Sequence, residues 1–263
     1  MTEIDGRMKR LFVEEDLYND KSVGLSAAQT HYLNHVLRLS VGDRVALFNG
    51  RHGEWICRIE TIARSSGSVE IEQRVRAQEN EPDLWLLFAP IKRTRLDFLV
   101  QKSVELGVSR FLPVTTERTE VRRLNLKRHR ANVIEAAEQC ERLTLPLFSE
   151  PLTLGDALIQ FPSDRTLAIC TERSNASALD NVLRAPEAKN QHWAILCGPE
   201  GGFTEWELDA LVKLPFIRFV SLGPRILRAE TAAISAVSCW QAALGDWQRR
   251  PPKRDLAQPG DAK

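Results

Sequence analysis

Residues 193–207 combine an apolar run, a glycine-rich turn and the start of an amphipathic segment, in the sequence Trp-Ala-Ile-Leu-Cys-Gly-Pro-Glu-Gly-Gly-Phe-Thr-Glu-Trp-Glu. Thr204 and Glu207 have the spacing of a capping box, which predicts that a helix begins here. The glycines let the backbone approach a ligand closely, although the turn matches neither a Walker loop nor G-x-G-x-x-G. The segment therefore predicts a strand, a turn and a helix, with either a ligand site or an ordinary connection at the turn.

The same alternation of apolar runs and helical patterns extends on both sides of this segment, and it is typical of a parallel sheet with crossover helices. Predicted strands are Leu84–Ala89, Phe111–Val114, Leu167–Cys170, Trp193–Cys197 and Ile217–Leu222. Predicted helices lie near 96–104, where Gly107 follows the last apolar residue, and near 127–142, 204–214 and 229–244. We therefore expect an α/β domain over residues 84–248.

A second turn follows the apolar run 217–222 and has the sequence Gly-Pro-Arg-Ile-Leu-Arg-Ala-Glu over residues 223–230. The apolar pair Ile226 and Leu227 is suited to wall an aromatic ligand group such as adenine. As an alternative, the glycine and proline only interrupt the chain, and Glu230 stabilises the N-terminus of the next helix. Because both turns follow strands of one sheet, we expect them to lie at adjacent strand ends and to share a pocket.

Residues 10–73 have the signals of a small β-rich unit. Apolar and polar side chains alternate on both sides of the turn at 49–53, which predicts a β-hairpin. A short helix is expected at 26–39. The polar stretch that follows the unit lacks apolar periodicity, and the C-terminal tail is rich in arginine and proline. The expected organisation is a domain at 1–73, a linker at 74–83, a domain at 84–248 and a disordered tail at 249–263.

The composition argues against several classes of protein. The chain has 263 residues, of which 43% are hydrophobic and 27% charged, as in soluble globular proteins. Apolar runs are too short to span a membrane, and residues 1–10 lack the apolar core of a signal peptide. Five cysteines without a C-x-x-C pair argue against a disulfide framework or a structural zinc site. We expect a cytoplasmic protein without a metal site.

The formal net charge of +1 says nothing about nucleic acid, so the distribution of charge is more informative. Cations are dense between Arg118 and Arg130, where Glu120 is the single acidic residue. Such a cluster suits phosphate binding, and a solvated helix face is the alternative. The residues predicted to bind RNA are Arg7, Arg10, Arg38, Lys92, Arg93, Arg118, Arg122 and Arg123.

Motifs along nearly the whole chain resemble the bacterial small-subunit ribosomal RNA methyltransferase E family, which methylates N3 of a uridine with S-adenosylmethionine. The two turns, at 198–203 and 222–232, are the most specific of these motifs. The others are His35-Val36-Leu37-Arg38-Leu39 with Val41-Gly42-Asp43, Gln101-Lys102 with Glu105-Leu106-Gly107-Val108, Thr115-Thr116-Glu117-Arg118, and Glu135-Ala136-Ala137-Glu138-Gln139.

The resemblance implies a PUA-like β-barrel followed by a SPOUT-type α/β domain whose C-terminal segment forms a trefoil knot. It also implies a homodimer that acts on 16S ribosomal RNA in the small ribosomal subunit. Residues expected to hold S-adenosylmethionine are Thr171, Leu196, Gly198, Pro199, Glu200, Gly201, Gly202, Leu222, Gly223, Ile226 and Leu227.

Methylation at N3 requires loss of a proton and stabilisation of the charge that develops on the base. We expect Arg228 to supply the charge stabilisation, and Glu200 and Glu230 to orient groups or accept the proton. Two alternatives remain at this point. One is methylation of another base or of a ribose 2′-hydroxyl in ribosomal or transfer RNA, and the other is an RNA-binding assembly factor without activity.

Overall fold

The computed structural model describes residues 8–172 and 176–250, and the chain divides into two units by its internal contacts. Within the described residues, the first unit comprises 8–80 and 137–144. The second unit comprises 81–136, 145–172 and 176–250. The tail predicted to be disordered lies outside the described residues from residue 251 onward.

The first unit is a five-stranded sheet with one short helix. Its strands are β1 (Arg10–Phe12), β2 (Ser22–Leu25), β3 (Arg44–Phe48), β4 (Glu54–Ile62) and β5 (Gly67–Arg76). The order is β1-β3-β4-β5-β2, with β1 parallel to β3 and the other pairs antiparallel. Helix α1 (Ala27–His31) starts with a Ser26 capping box and continues as one π-helical turn, Tyr32–Val36. The predicted β3–β4 hairpin and the short helix are thereby confirmed.

Strand β3 departs from the predicted alternation, because Ala46 and Phe48 are buried as well as Val45 and Leu47. On the second face, the Phe48 ring packs beside that of Phe12, its partner on β1, with 5.7 Å between centroids, and the Arg10 guanidinium lies over it at 4.3 Å. A strand buried on both faces has no need of polar residues at alternate positions.

Arg10 is a core residue of the first unit, and its predicted role in RNA binding is wrong. Its exposed fraction is 5%, and its Nε donates to Glu54 Oε1 at 2.5 Å. The guanidinium also donates to the carbonyls of Ala137 and Arg142, each at 2.9 Å. A charge buried in this way needs partners inside the protein, and these partners hold it away from solvent. Arg38 is exposed, whereas Arg7 lies outside the described residues.

The predicted linker begins too early, because residues 74–76 are the end of strand β5 and pair with β4. The strand ends with Arg74, which is exposed, and Arg76, whose side chain lies beside the buried Glu54, so its end resembles a polar linker in sequence. The division between the two units at Asn80 and Glu81 falls within the remaining predicted linker residues.

The second unit is an eight-stranded parallel sheet, which confirms the α/β prediction. Its strands are β6 (Leu84–Phe88), β7 (Arg110–Thr115), β8 (Leu147–Phe148), β9 (Leu152–Thr153), β10 (Arg165–Cys170), β11 (Ser177–Ala178), β12 (His192–Cys197) and β13 (Ile217–Ser221). The order is β11-β13-β10-β12-β6-β7-β8, and β9 pairs separately with β7.

Helices connect these strands; four of them were predicted from 3.6-residue patterns, and the two shortest, at 154–159 and 179–184, were not. They are α2 (Arg93–Glu105), α3 (Leu126–Cys140), α4 (Leu154–Ile159), α5 (Leu179–Arg184), α6 (Glu205–Leu211) and α7 (Ala229–Leu244), with a 3-10 turn at Pro186–Asn190. The last four residues of α3 belong to the first unit. Among the described helices none is long and apolar enough to cross a membrane.

The order of the sheet corrects one expectation about the two turns. Strands β12 and β13 are not adjacent, because β10 lies between them and pairs with both. The carboxyl ends of the three parallel strands meet at the same edge of the sheet. Ligands of α/β proteins bind at this edge, so the segments that follow β10, β12 and β13 together define the candidate site.

Candidate active site

A cleft of about 850 Å³ opens at this edge of the sheet. It lies between the residues that follow β10, the glycine loop (residues 198–203) and the second loop (residues 222–228). Its walls are formed by Arg118, Cys170, Thr171, Glu172, Cys197, Gly198, Pro199, Glu200, Gly201, Gly202, Phe203, Leu208, Ser221, Leu222, Gly223, Pro224, Arg225, Ile226, Leu227, Ala229 and Ala232. The structure therefore brings the two turns together, as expected, with Thr171 between them.

The glycine loop depends on glycine at two positions for different reasons. A Cβ atom on Gly198 would lie 2.8 Å from the Phe203 ring, so this ring packs directly on the backbone. Gly202 has a φ of +67° and donates its N–H to the carbonyl of Pro199 at 2.8 Å, which closes a tight turn. Side chains at these positions would open the loop or strain its backbone.

Side chains from outside the glycine loop fix its far end. Arg118 donates to the carbonyl of Gly201 at 2.8 Å, and its aliphatic part packs on the same glycine. Glu207, in the first turn of α6, accepts from the N–H of Thr204 at 2.8 Å in the predicted capping box. The other oxygen of Glu207 accepts from the N–H of Glu117 at 2.9 Å, a contact that sequence analysis missed. Arg118, predicted to bind RNA, thus lies in the cleft wall.

The second loop is more open. Gly223 has a φ of +102° and donates its N–H to the hydroxyl of Ser221 at 3.2 Å. Ile226 is 82% exposed, and Leu227 is half-buried beside it. Both apolar side chains line the cleft, as predicted, and they provide a surface for a planar apolar group.

The floor of the cleft lies at the ends of β10 and β12. Thr171 donates its N–H to the carbonyl of Val220 at 3.0 Å, which leaves it at the base of the cleft between the two loops. A hydrogen bond with Cys170, and then burial, raises the pKa of Cys197 well above its ordinary value, so Cys197 remains a thiol and is no nucleophile. Leu196 does not belong to the cleft wall, because its side chain is fully buried in the core beneath.

The two predicted catalytic carboxylates meet at one arginine. Arg95, in the first turn of α2, donates from Nη1 to Glu200 Oε1 at 3.3 Å, and its Nε lies 3.7 Å from Glu230 Oε1. The side chain of Glu200 is 43% exposed and that of Glu230 only 10%. Glu230 Oε2 is buried without a hydrogen-bond partner in the described part of the chain.

Arg95 is not among the residues predicted from the sequence, and this bridge was missed. The available signal was its position just after β6, a strand that pairs with β12. Residues that follow neighbouring parallel strands lie at the same sheet edge. The bridge therefore connects the glycine loop, through Glu200, with the first turn of α7, through Glu230.

The other predicted residues of the second unit are exposed and lie outside the cleft wall. Lys92 and Arg93 are at the start of α2, and Arg122 and Arg123 follow β7. Arg228 is the N-cap residue of α7, with an exposed side chain beside the second loop. Over residues 8–172 and 176–250, no group of three or more histidine, cysteine, aspartate or glutamate residues could hold a metal ion.

Comparison with known proteins agrees with this division of the chain. A family model for an RNA methyltransferase domain matches residues 78–241, and one for an RNA methyltransferase PUA domain matches residues 25–72. The second match confirms that the first unit is PUA-like. The first match covers the whole of the cleft described above.

Two similar proteins share the same name. Ribosomal RNA small subunit methyltransferase E of Rickettsia conorii is 32% identical over 88% of this chain and 94% of its own length. The protein of that name from a Synechocystis species is 35% identical over 89% of this chain and 78% of its own length.

Two solved structures extend the comparison to the fold. The methyltransferase E of Neisseria gonorrhoeae, bound to S-adenosylmethionine, has a TM-score of 0.83 at 31% identity and covers 92% of this chain and 100% of its own. A methyltransferase from Legionella pneumophila, also in complex with that cofactor, has a TM-score of 0.81 at 30% identity over 91% and 99%. The chain therefore belongs to the ribosomal RNA small subunit methyltransferase E family of RNA methyltransferases.

Proposed function

We propose that this protein transfers a methyl group from S-adenosylmethionine to N3 of a uridine in 16S ribosomal RNA. The observation that supports this most is the convergence of the glycine loop, Thr171 and the second loop on one cleft at the carboxyl edge of a parallel sheet. Relatives are named for methylation of small-subunit ribosomal RNA, and two solved structures of the same fold, one of them so named, have this cofactor bound.

The walls of the cleft suit S-adenosylmethionine. Ile226 and Leu227 offer an apolar surface to the adenine ring, and the bare backbone of the glycine loop can hydrogen-bond its ring nitrogens and the ribose. Glu172 and Glu200 line the cleft beside Arg118 and Arg225, and their carboxylates can attract the positively charged cofactor. When bound, the cofactor supplies a methyl group on a positively charged sulfur.

The residues at the cleft supply the acid–base part of the reaction. Glu200 lines the cleft and is half-exposed, so it is the side chain that accepts the N3 proton of uracil. Arg95 holds Glu200 in place, and Glu230 holds Arg95 from the other side. Arg228, exposed at the N-cap of α7, stabilises the negative charge that develops on the base.

Exposed cations are proposed to bind the RNA backbone, which positions the target without reading its sequence. They are Arg38, Lys92, Arg93, Arg122 and Arg123. Replacing Arg122 and Arg123 together by glutamate should lower affinity for 16S ribosomal RNA by about ten-fold and flatten its salt dependence, with cofactor binding unchanged. Unchanged RNA affinity in this variant contradicts the assignment.

Four further features of the proposal rest on the family resemblance. We propose a homodimer, a trefoil knot in the second unit, the assembled small ribosomal subunit as substrate, and the cytoplasm as the site of action. Because N3 is hidden in a base pair, the target uridine must be unpaired or flipped out of its helix.

The deciding experiment uses labelled S-adenosylmethionine and small ribosomal subunits that lack the modification. After transfer, the RNA is digested and the labelled nucleoside is identified. We expect 3-methyluridine. Label in another nucleoside, or at a ribose 2′-oxygen, would support the cofactor assignment and contradict the assignment of N3 of uridine as the target. The absence of both label and cofactor binding would favour an RNA-binding assembly factor instead.

A further inference from the structure

A second groove, of about 380 Å³, lies at the edge of the parallel sheet in the second unit and shares no residue with the cleft. One wall is the N-terminal half of α3, and the other is the segment that contains strand β8. The residues that line this edge groove are Leu126, Lys127, Arg130, Val133, Leu145, Pro146, Leu147 and Phe148.

The apolar part of the edge groove is both open and firmly held. Leu147 is 66% exposed, although it lies in a strand next to the core. Phe148 is fixed from behind, because its ring is parallel to that of His129 at 5.3 Å and lies 5.4 Å from that of Phe111. A surface whose side chains are already ordered loses little entropy when a flat ligand packs on it.

The rim of the edge groove is cationic. Lys127 and Arg130 are exposed on the α3 side, one turn apart, and the exposed Arg122 and Arg123 precede the same helix. Within the second unit, the carboxylates nearest in sequence are Glu135 on α3, Glu150 after β8 and Glu120 before the helix, all exposed. Apolar walls beneath a basic rim complement a base with its phosphates, whereas a protein partner needs no such surplus of cations.

We propose that the edge groove binds an unpaired base of ribosomal RNA, with Lys127 and Arg130 on the phosphates beside it. The base packs on Leu147 and Phe148, away from the uridine that is methylated. Single-stranded RNA is commonly recognised by this combination of stacking and charge. The inference rests on the proposed function only in that the substrate is RNA.

The test compares two substitutions that place the same charge on exposed apolar positions. Leu147→Glu puts a carboxylate in the edge groove, and Ile159→Glu puts one on α4, where the isoleucine is 84% exposed. Binding of the full chain to an unmodified 16S ribosomal RNA transcript is measured. We expect about ten-fold weaker binding for Leu147→Glu, or about 1.4 kcal/mol, and wild-type binding for Ile159→Glu. Ultraviolet crosslinking of the wild-type complex should label the peptide that contains Phe148.

A second pair of variants tests the inference without changing strand β8, in case Leu147→Glu does not fold. Lys127→Glu should weaken binding and reduce the slope of log affinity against log salt by about 0.7, while Lys213→Glu, at an exposed position outside both sites, should leave the slope unchanged. Circular dichroism checks that all four variants are folded.

Two outcomes overturn the inference. One is equal RNA affinity for Leu147→Glu and Ile159→Glu, without a crosslink at Phe148. The other is a loss of binding to assembled subunits with naked RNA bound normally, which would make the edge groove a protein contact. Methyl transfer, assayed in parallel, separates the two proposals: a product other than 3-methyluridine overturns the proposed target and leaves the result for the edge groove intact.

Discussion

The two loops of the cleft differ in how they are held. The glycine loop is held by a distant residue, Arg118, which donates to Gly201, and it runs into a helix start where Glu207 also accepts from the distant Glu117. The contacts described for the second loop are local: Ser221 accepts from Gly223, and the carbonyl of Arg228 accepts from Ala232. The glycine-loop side of the cleft is thus ordered before a ligand binds, whereas the second-loop side presents the exposed side chain of Ile226.

This difference indicates a division of labour between the loops. A loop fixed by side chains from other segments keeps its backbone groups in place and loses little entropy on binding. A loop with exposed apolar side chains gains its contacts only when a ligand covers them. We therefore expect substitutions in or around the glycine loop to have larger effects than those in the second loop.

The most severe test is Gly201→Trp. A Cβ at this position would contact the Cβ and Cδ atoms of Arg118 at 3.4 Å, and the indole beyond it would occupy the cleft that Gly201 lines. We expect affinity for S-adenosylmethionine to fall by at least about 100-fold, or about 2.7 kcal/mol, by isothermal titration calorimetry. RNA binding should persist. Gly155→Trp, on an exposed helix outside the cleft, is the control and should bind the cofactor normally.

Arg95→Ala tests whether the bridge joins the two sides of the cleft. Without the guanidinium, Glu200 and Glu230 repel each other and Glu200 loses its position. We expect kcat to fall about 30-fold, equivalent to about 2 kcal/mol, with cofactor affinity changed by less than about three-fold. Arg95→Lys should restore part of kcat, because it keeps the charge. A variant that loses stability but keeps kcat would assign Arg95 to folding alone.

Glu207→Gln tests the two hydrogen bonds that Glu207 accepts at the end of the glycine loop. The amide can donate as well as accept, but the two N–H groups of Thr204 and Glu117 both require acceptors. Loss of one charge-assisted bond should lower the free energy of unfolding by about 1–2 kcal/mol, measured by denaturant titration. Glu205→Gln, exposed in the same helical turn, should change it by less than about 0.5 kcal/mol. Equal losses of unfolding free energy in the two variants would show that the hydrogen bonds of Glu207 add no stability beyond that of a glutamate in the first turn of α6.

The smallest effect is expected for Ile226→Ala in the second loop. The isoleucine is 82% exposed, so its removal leaves no cavity in the free protein and costs no stability. Cofactor affinity should fall by about three- to ten-fold, because a ligand loses part of its apolar cover. The matched control is Ile159→Ala, at an even more exposed position. A loss as large as that of Gly201→Trp would contradict the division of labour.

Much of this architecture could be predicted from the sequence, because the signals are local. The capping box of Thr204 and Glu207, the hairpin around 49–53 and the apolar runs of the sheet each depend on residues close in the chain. The two cofactor loops were predicted for the same reason. Predictions went wrong where a local pattern had two structural solutions, as in residues 74–76, where a charged strand has the composition of a linker.

What the sequence by itself determined is the hairpin of the first unit, the longer strands and helices of the second unit, and the chemistry that the two glycine turns make available. Only the tertiary structure decided the position of β10 between β12 and β13, the burial of Arg10 on Glu54, and the Arg95 bridge. These features join residues far apart in the chain: Arg95 and Glu200 are separated by 105 positions. An arginine can face solvent, a core carboxylate or a catalytic carboxylate, depending on which segments the sheet brings beside it. Periodicity along the chain does not predict these long-range neighbours.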